Sequence, residues 1–176
     1  GSVNQLCRER RFSAIATKLG FNSDDSTRIM TILATETEKL PWVVSLNWQN
    51  MVNFTSMARL VKERLAPEIV ADHGSGAFNP LDPDAVHYSG ISNGGTVGYV
   101  IASTSPAIER AALLVGGGGL THFLQRAVNW LDFSWLFEDL YPDPLELQLV
   151  LSAMQIPIDP IDSINYVHRM VTNRFD

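Results

Sequence analysis

Residues 85–98, AVHYSGISNGGTVG, constrain the fold of this chain more than any other stretch. A short apolar run at 85–91, of the kind that makes a buried strand, passes through Gly90-Ile91-Ser92-Asn93-Gly94 into a segment rich in small residues. G-x-S-x-G in that setting holds a serine on a strained strand-to-helix turn. Such a turn brings backbone segments too close for side chains, which assigns Gly90 and Gly94 as the glycines of the elbow. Ser92 is expected at the apex, its hydroxyl over the carboxyl end of the strand, as the candidate nucleophile. The backbone N–H of Asn93, at the positive end of the following helix, is the candidate oxyanion donor.

The surroundings agree with this pattern on both sides. Pro80, Asp82 and Pro83 mark a turn before the strand. Gly94, Gly95 and Gly98 allow a helix to pack tightly on a sheet, and Val97, Val100, Ile101 and Ala102 give that helix an apolar face. A second apolar strand is expected at 111–115, followed by Gly116-Gly117-Gly118-Gly119. In a parallel sheet the carboxyl ends of the strands form the binding edge, so this glycine loop is expected beside Ser92. The plainer alternative is a buried serine in an ordinary strand-to-helix turn. A phosphate-binding loop fits worse, because no lysine precedes Thr96.

The rest of the chain reads as support. Residues 12–19, FSAIATKL, suggest a strand ending at Gly20, with Arg8, Glu9, Arg10 and Arg11 as its solvated approach. Ser23 is a good N-cap, with Asp24 and Asp25 in the first turn, for a helix carrying Ile29, Ile32 and Leu33 and ending near Pro41. At 46–65 a longer helix is expected from the spacing of Trp48, Met51, Val52, Thr55, Ala58 and Leu60, limited by Pro67. That stripe, with Met57, reads as core rather than a ligand groove. Asp72 to Gly76 is loop chemistry. His73-Gly74 matches the His-Gly of some oxyanion loops but stands directly before the elbow strand, so His73 reads as a loop residue. A short helix at 121–128 carries His122. Trp130, Leu131, Phe133, Trp135, Leu136 and Phe137 then form an aromatic segment, either a cap lining an apolar pocket or a helix pair buried on the sheet. A helix at 145–154 follows, then a break at Pro157, Asp159 and Pro160, then a last helical stretch at 164–171.

At 176 residues, 45% of them hydrophobic, the chain suits one compact domain with a substantial core. A net charge of −6 without a basic tract argues against nucleic acid as partner. Cys7 stands alone, which excludes an internal disulfide and leaves the compartment open. No apolar run has the length of a membrane span. No His/Cys/Asp cluster has metal-ligand spacing, so neither metal nor other cofactor is implied. Gly1-Ser2 reads as a cloning scar, so the start of the sequence carries no information on secretion.

A serine hydroxyl needs a base, usually a histidine oriented by a carboxylate. In a strand-elbow-helix setting the chain order is Ser, then acid, then His. His122 follows Ser92 with no strand-borne acid between. His168 has Asp159 and Asp162 shortly before it, an interval too short for the strand that would separate acid from base. No triad closes within this sequence.

Taken together, Asp82-Pro83-Asp84, HYSGISNGGTVG, IERAALLVGGGG, YPDPLELQLVL and DPIDSINYVHRM resemble the middle segment of α/β-hydrolases, in particular large bacterial serine hydrolases related to lipases and esterases. The resemblance runs from about Gly20 onward. It implies an α/β fold: a partial α/β-hydrolase-type parallel sheet flanked by helices, incomplete in this chain. Residues 3–176 would be one central segment, with a cap-like helical region at 120–157. The triad acid and histidine would follow strands beyond Asp176, the first strands and oxyanion loop would precede Val3, and Asn165-Tyr166 would lead toward the acid-bearing strand. His168 then lies outside the triad.

The expected activity is therefore serine hydrolysis of carboxylic esters by Ser92. The expected partners are a small-molecule ester, with a hint of an apolar acyl or aryl group, and further polypeptide completing the same fold. The alternative is a non-catalytic α/β-hydrolase-like module for assembly or binding, its serine idle.

Overall fold

The computed structural model describes residues 3–17, 23–72 and 81–170. It is mostly helical, with one small parallel sheet, a mixed α/β arrangement. The helices that precede the sheet are α1 (Val3–Arg10), α2 (Ser23–Thr35), α3 (Leu40–Leu60) and α4 (Ala66–Asp72). Strand β1 (His87–Ile91), helix α5 (Asn93–Thr104) and strand β2 (Arg110–Leu114) then form a βαβ unit. Helices α6 (Leu120–Leu124), α7 (Ser134–Leu140) and α8 (Pro144–Ile158) follow, and 3-10 turns at Asp159–Ile161, Ser163–Asn165 and Val167–Met170 end the described chain.

β1 and β2 run parallel, pairing His87 with Arg110 through to Ile91 with Leu114. Alternation decides which side packs. Tyr88 and Gly90 turn inward on β1, Ala111 and Leu113 are half-buried on β2, and α5 covers that face. Val100 and Ile101 of α5 are fully buried, and such side chains contribute about 1.5–3 kcal/mol each. Gly98 makes the contact close: a Cβ there would lie 2.5 Å from both Leu113 Cδ2 and Tyr88 Cε1. The opposite face is exposed among the described residues. Ile91 is 67% exposed and Leu114 49%, with His87, Ser89, Arg110 and Ala112 exposed between them. Parallel sheets ordinarily bury both faces.

The rest of the core is helical. Ile29, Ile32 and Leu33 of α2, Leu40, Val43, Met51 and Ala58 of α3, and Leu147, Leu151, Met154 and Ile158 of α8 join one cluster with the inner face of α5. Phe137 of α7 is fully buried in it, against Trp130 at 5.2 Å between ring centroids.

Several local expectations are corrected. Residues 12–17 take no regular structure; the remainder of the expected strand and His73–Gly76 lie outside the described residues. Arg8, Glu9 and Arg10 of the charged approach are part of α1, which buries nothing, and Arg11 follows it at φ 56°. Pro41 begins α3 instead of ending α2, because a proline in a first turn has no helical hydrogen bond to lose. Pro67 does not stop the long helix either. Its missing N–H and bulky ring are met by a π turn over Val61–Leu65, after which the coil continues into α4. The buried face of α3 is also rotated from the expected stripe: Met51 and Ala58 are inside with Asn47 and Asn50, while Trp48, Val52 and Leu60 are exposed. Pro157 lies inside α8 rather than beyond it. The last expected helix is a pair of 3-10 turns.

Candidate functional site: the Ser92 elbow

β1 leads directly into Ser92, and α5 leaves directly from it. Ser92 has φ 55° and ψ −120°, outside the ordinary regions for an L-residue, and is exposed at the carboxyl end of the strand. A non-glycine residue held there costs on the order of 1–3 kcal/mol and persists only where its surroundings over-determine it. Here they do. Ser92 N–H donates to Leu114 O of the neighbouring strand at 2.9 Å, and Thr96 N–H donates back to Ser92 O at 3.0 Å. Gly90 touches the far side of the turn, where an added Cβ would lie 2.2 Å from Gly94 O.

The two elbow glycines are not equivalent. At Gly94 the nearest atom to an added Cβ is Tyr88 Oη, at 3.8 Å, which is ordinary contact. Close approach therefore requires glycine at Gly90 and not at Gly94, because Gly94 has already entered the first turn of α5.

Tyr88 belongs to the elbow although no motif in the sequence marks it. Its hydroxyl donates to Gly94 O at 2.8 Å, and its ring meets Phe54 edge-on at 5.5 Å. Burial pushes the phenol up to about 12, since the neutral form alone suits this setting. The available signal was position: an aromatic with a hydroxyl, two residues before Gly90, on the inward side of the strand.

The glycine loop lies against the elbow. A Cβ on Gly116 would be 2.8 Å from Gly95 C, and Gly117 N–H donates to Thr96 Oγ1 at 3.1 Å. Val115, which opens the loop, has φ 54° and is 86% exposed. Since Ile91 pairs with Leu114, the two strained residues Ser92 and Val115 follow directly on paired positions, side by side at the carboxyl edge. Asn93 is the first residue of α5, whose amino end carries the positive end of the helix dipole.

Other expected participants are elsewhere. His122 is exposed on α6, and His168 is exposed in the Val167–Met170 turn. Among the described residues no side chain is hydrogen-bonded to the Ser92 hydroxyl. Asp162 is paired with none of the described histidines; it is fully buried and accepts backbone N–H groups. Two clefts are present, and neither is lined by Ser92 or Asn93. One of about 290 Å³ is lined by Tyr99, Gly116, Gly117, Gly118, Ser163 and Ile164. The other, about 720 Å³, runs along β1 past Phe54, Met57, Val61, Val86, Tyr88 and Ser89. Neither is lined by the aromatic segment, in which Leu131 and Trp135 are exposed and Phe137 is core. Among the described residues no His/Cys/Asp/Glu group could hold a metal ion, and no helix is long and apolar enough to cross a membrane.

No family model matches this chain, and comparison with curated proteins and with solved structures finds no match. The chemistry of the site is carried by its own geometry.

Proposed function

We propose that this chain carries the nucleophile segment of an α/β-hydrolase-type serine hydrolase acting on carboxylic esters. The single observation behind this is Ser92, an exposed serine forced to positive φ between a parallel strand and a helix N-terminus. That arrangement presents a hydroxyl where backbone N–H groups and a helix dipole can stabilise developing negative charge. Ser92 Oγ attacks the ester carbonyl carbon and its proton passes to a histidine base. The tetrahedral oxyanion is held by N–H groups including that of Asn93. The C–O bond to the alcohol then breaks as the histidine returns the proton to the leaving oxygen. Water, deprotonated by the same base, cleaves the acyl-serine.

The base and its acid partner belong to polypeptide that completes the sheet. Among the described residues two sheet edges are unpaired and one face is exposed, which supports this, since a parallel pair alone leaves ladder groups and apolar side chains exposed. A second reading is an assembly or binding module with an idle serine. One observation favours it: no described side chain activates the Ser92 hydroxyl. A fluorophosphonate probe separates the two readings. Capture at Ser92, lost in Ser92→Ala, supports the hydrolase; no capture in the complete native assembly supports the binding module.

A further inference from the structure

Asp162 is wholly buried, and no ion pair compensates its charge among the described residues. Hydrogen bonds do so instead. Oδ1 accepts from Gly119 N–H at 2.9 Å and from Ile164 N–H at 3.0 Å; Oδ2 accepts from Leu120 N–H at 2.6 Å and from Gln155 Nε2 at 2.8 Å. Burying a carboxylate is costly unless such donors are supplied, and charge-assisted bonds of this kind are the strong ones. This carboxylate therefore staples the end of the glycine loop to Gln155 of α8 and to the 3-10 turn at Ser163–Asn165.

The connection continues to the elbow. Ser163 Oγ donates to Gly117 O, and the N–H of the same Gly117 donates to Thr96 Oγ1. Thr96 N–H donates to Ser92 O, and that carbonyl belongs to the peptide that carries the Asn93 N–H. Gly116 adds a steric stop, with no room for even one methyl group against Gly95. An unbroken path thus runs from a buried charge to the peptide plane expected to face an oxyanion.

We infer that Asp162 is a positioning residue for the oxyanion donor of the Ser92 site, acting through the glycine loop and Thr96; this rests on the hydrolase reading. Asp162→Asn keeps the shape but turns an amide NH2 toward one pair of donors. Two readouts follow on the full chain in its native assembly. By amide hydrogen exchange, Thr96 N–H in Asp162→Asn exchanges at least about tenfold faster than in wild type, the scale of losing one charge-assisted hydrogen bond. By fluorophosphonate capture, kinact falls at least about tenfold while KI is unchanged. Thr96→Val, which leaves Asp162 untouched, lowers kinact in the same way, and Thr96→Ser, which retains the hydroxyl, restores it; this pair decides the matter if Asp162→Asn does not fold. Wild-type capture rates in Asp162→Asn and Thr96→Val, or exchange changes confined to Gly119, Leu120 and Ile164, overturn the inference. Absence of capture in wild type instead refutes the hydrolase reading and the catalytic role with it, while Thr96 exchange still reports whether the coupling exists.

Discussion

Gly90→Ala and Gly94→Ala make the same chemical change four residues apart in one motif, and the structure assigns them opposite outcomes. The Gly90 methyl would lie 2.2 Å from Gly94 O, 2.5 Å from Gly94 C and 2.8 Å from Tyr88 Cε1, more than an ångström short of the ordinary contact that begins at 3.4 Å for the first of these. Two of those atoms are backbone and cannot rotate away. Relief requires the turn to open, which carries Gly94 O off the Tyr88 hydroxyl. Overpacking costs about 1–3 kcal/mol, and the lost hydrogen bond adds about 1 kcal/mol. The sum, about 2–4 kcal/mol, lowers the urea midpoint by about 1–2 M for a domain of this size. A displacement of this scale at the elbow also lowers fluorophosphonate capture at Ser92 by about 100-fold in the protein that remains folded. Gly94→Ala meets nothing closer than 3.8 Å and lies in a helical turn, where alanine is favoured over glycine by up to about 1 kcal/mol. Its midpoint should equal or exceed wild type. A Gly90→Ala midpoint indistinguishable from wild type, or a Gly94→Ala variant as unstable as Gly90→Ala, would refute the steric reasoning.

Two further outcomes follow from the same region. Tyr88→Phe should cost about 1 kcal/mol below pH 10, by loss of one hydrogen bond. Because burial raises the folded phenol to about 12, above its ordinary 10, the stabilisation is full below pH 10 and is lost as pH rises toward 12. Each pH unit in that window withdraws about 1.4 kcal/mol from wild type alone, so wild type and Tyr88→Phe, compared by denaturation, should meet near pH 11 and then cross, wild type being the less stable by pH 12; parallel curves to pH 12 would contradict the burial of the neutral phenol. Val115→Gly should raise the urea midpoint, since relief of about 1–3 kcal/mol of strain at φ 54° outweighs the roughly 0.5–1 kcal/mol of added chain entropy at an exposed side chain. A lower midpoint would show that Val115 is not strained in solution.

The βαβ unit was legible in the sequence because its signals are local. A short apolar run at 85–91, glycines at fixed offsets and a small-residue helix act over a few residues, and they specified strand, turn and helix around Ser92 without reference to the rest of the chain, though not that one face of the strand is exposed. Pro41 and Pro67 were misread for the opposite reason: whether a proline begins, widens or ends a helix depends on where the preceding carbonyls are needed, and packing decides that. The rotated face of α3 has the same origin, since Asn47 and Asn50 are buried by the position of neighbouring helices and not by their own polarity. Tyr88, Thr96 and Asp162 are ordinary residues in one dimension. Only tertiary structure brings a carboxylate at 162 to amides at 119 and 120 and a hydroxyl at 96 to an amide at 117, because hydrogen bonds act over about 3 Å and carry no trace in sequence separation. The sequence alone determined which residue stands at the bend; the folded chain decided what holds that bend in place.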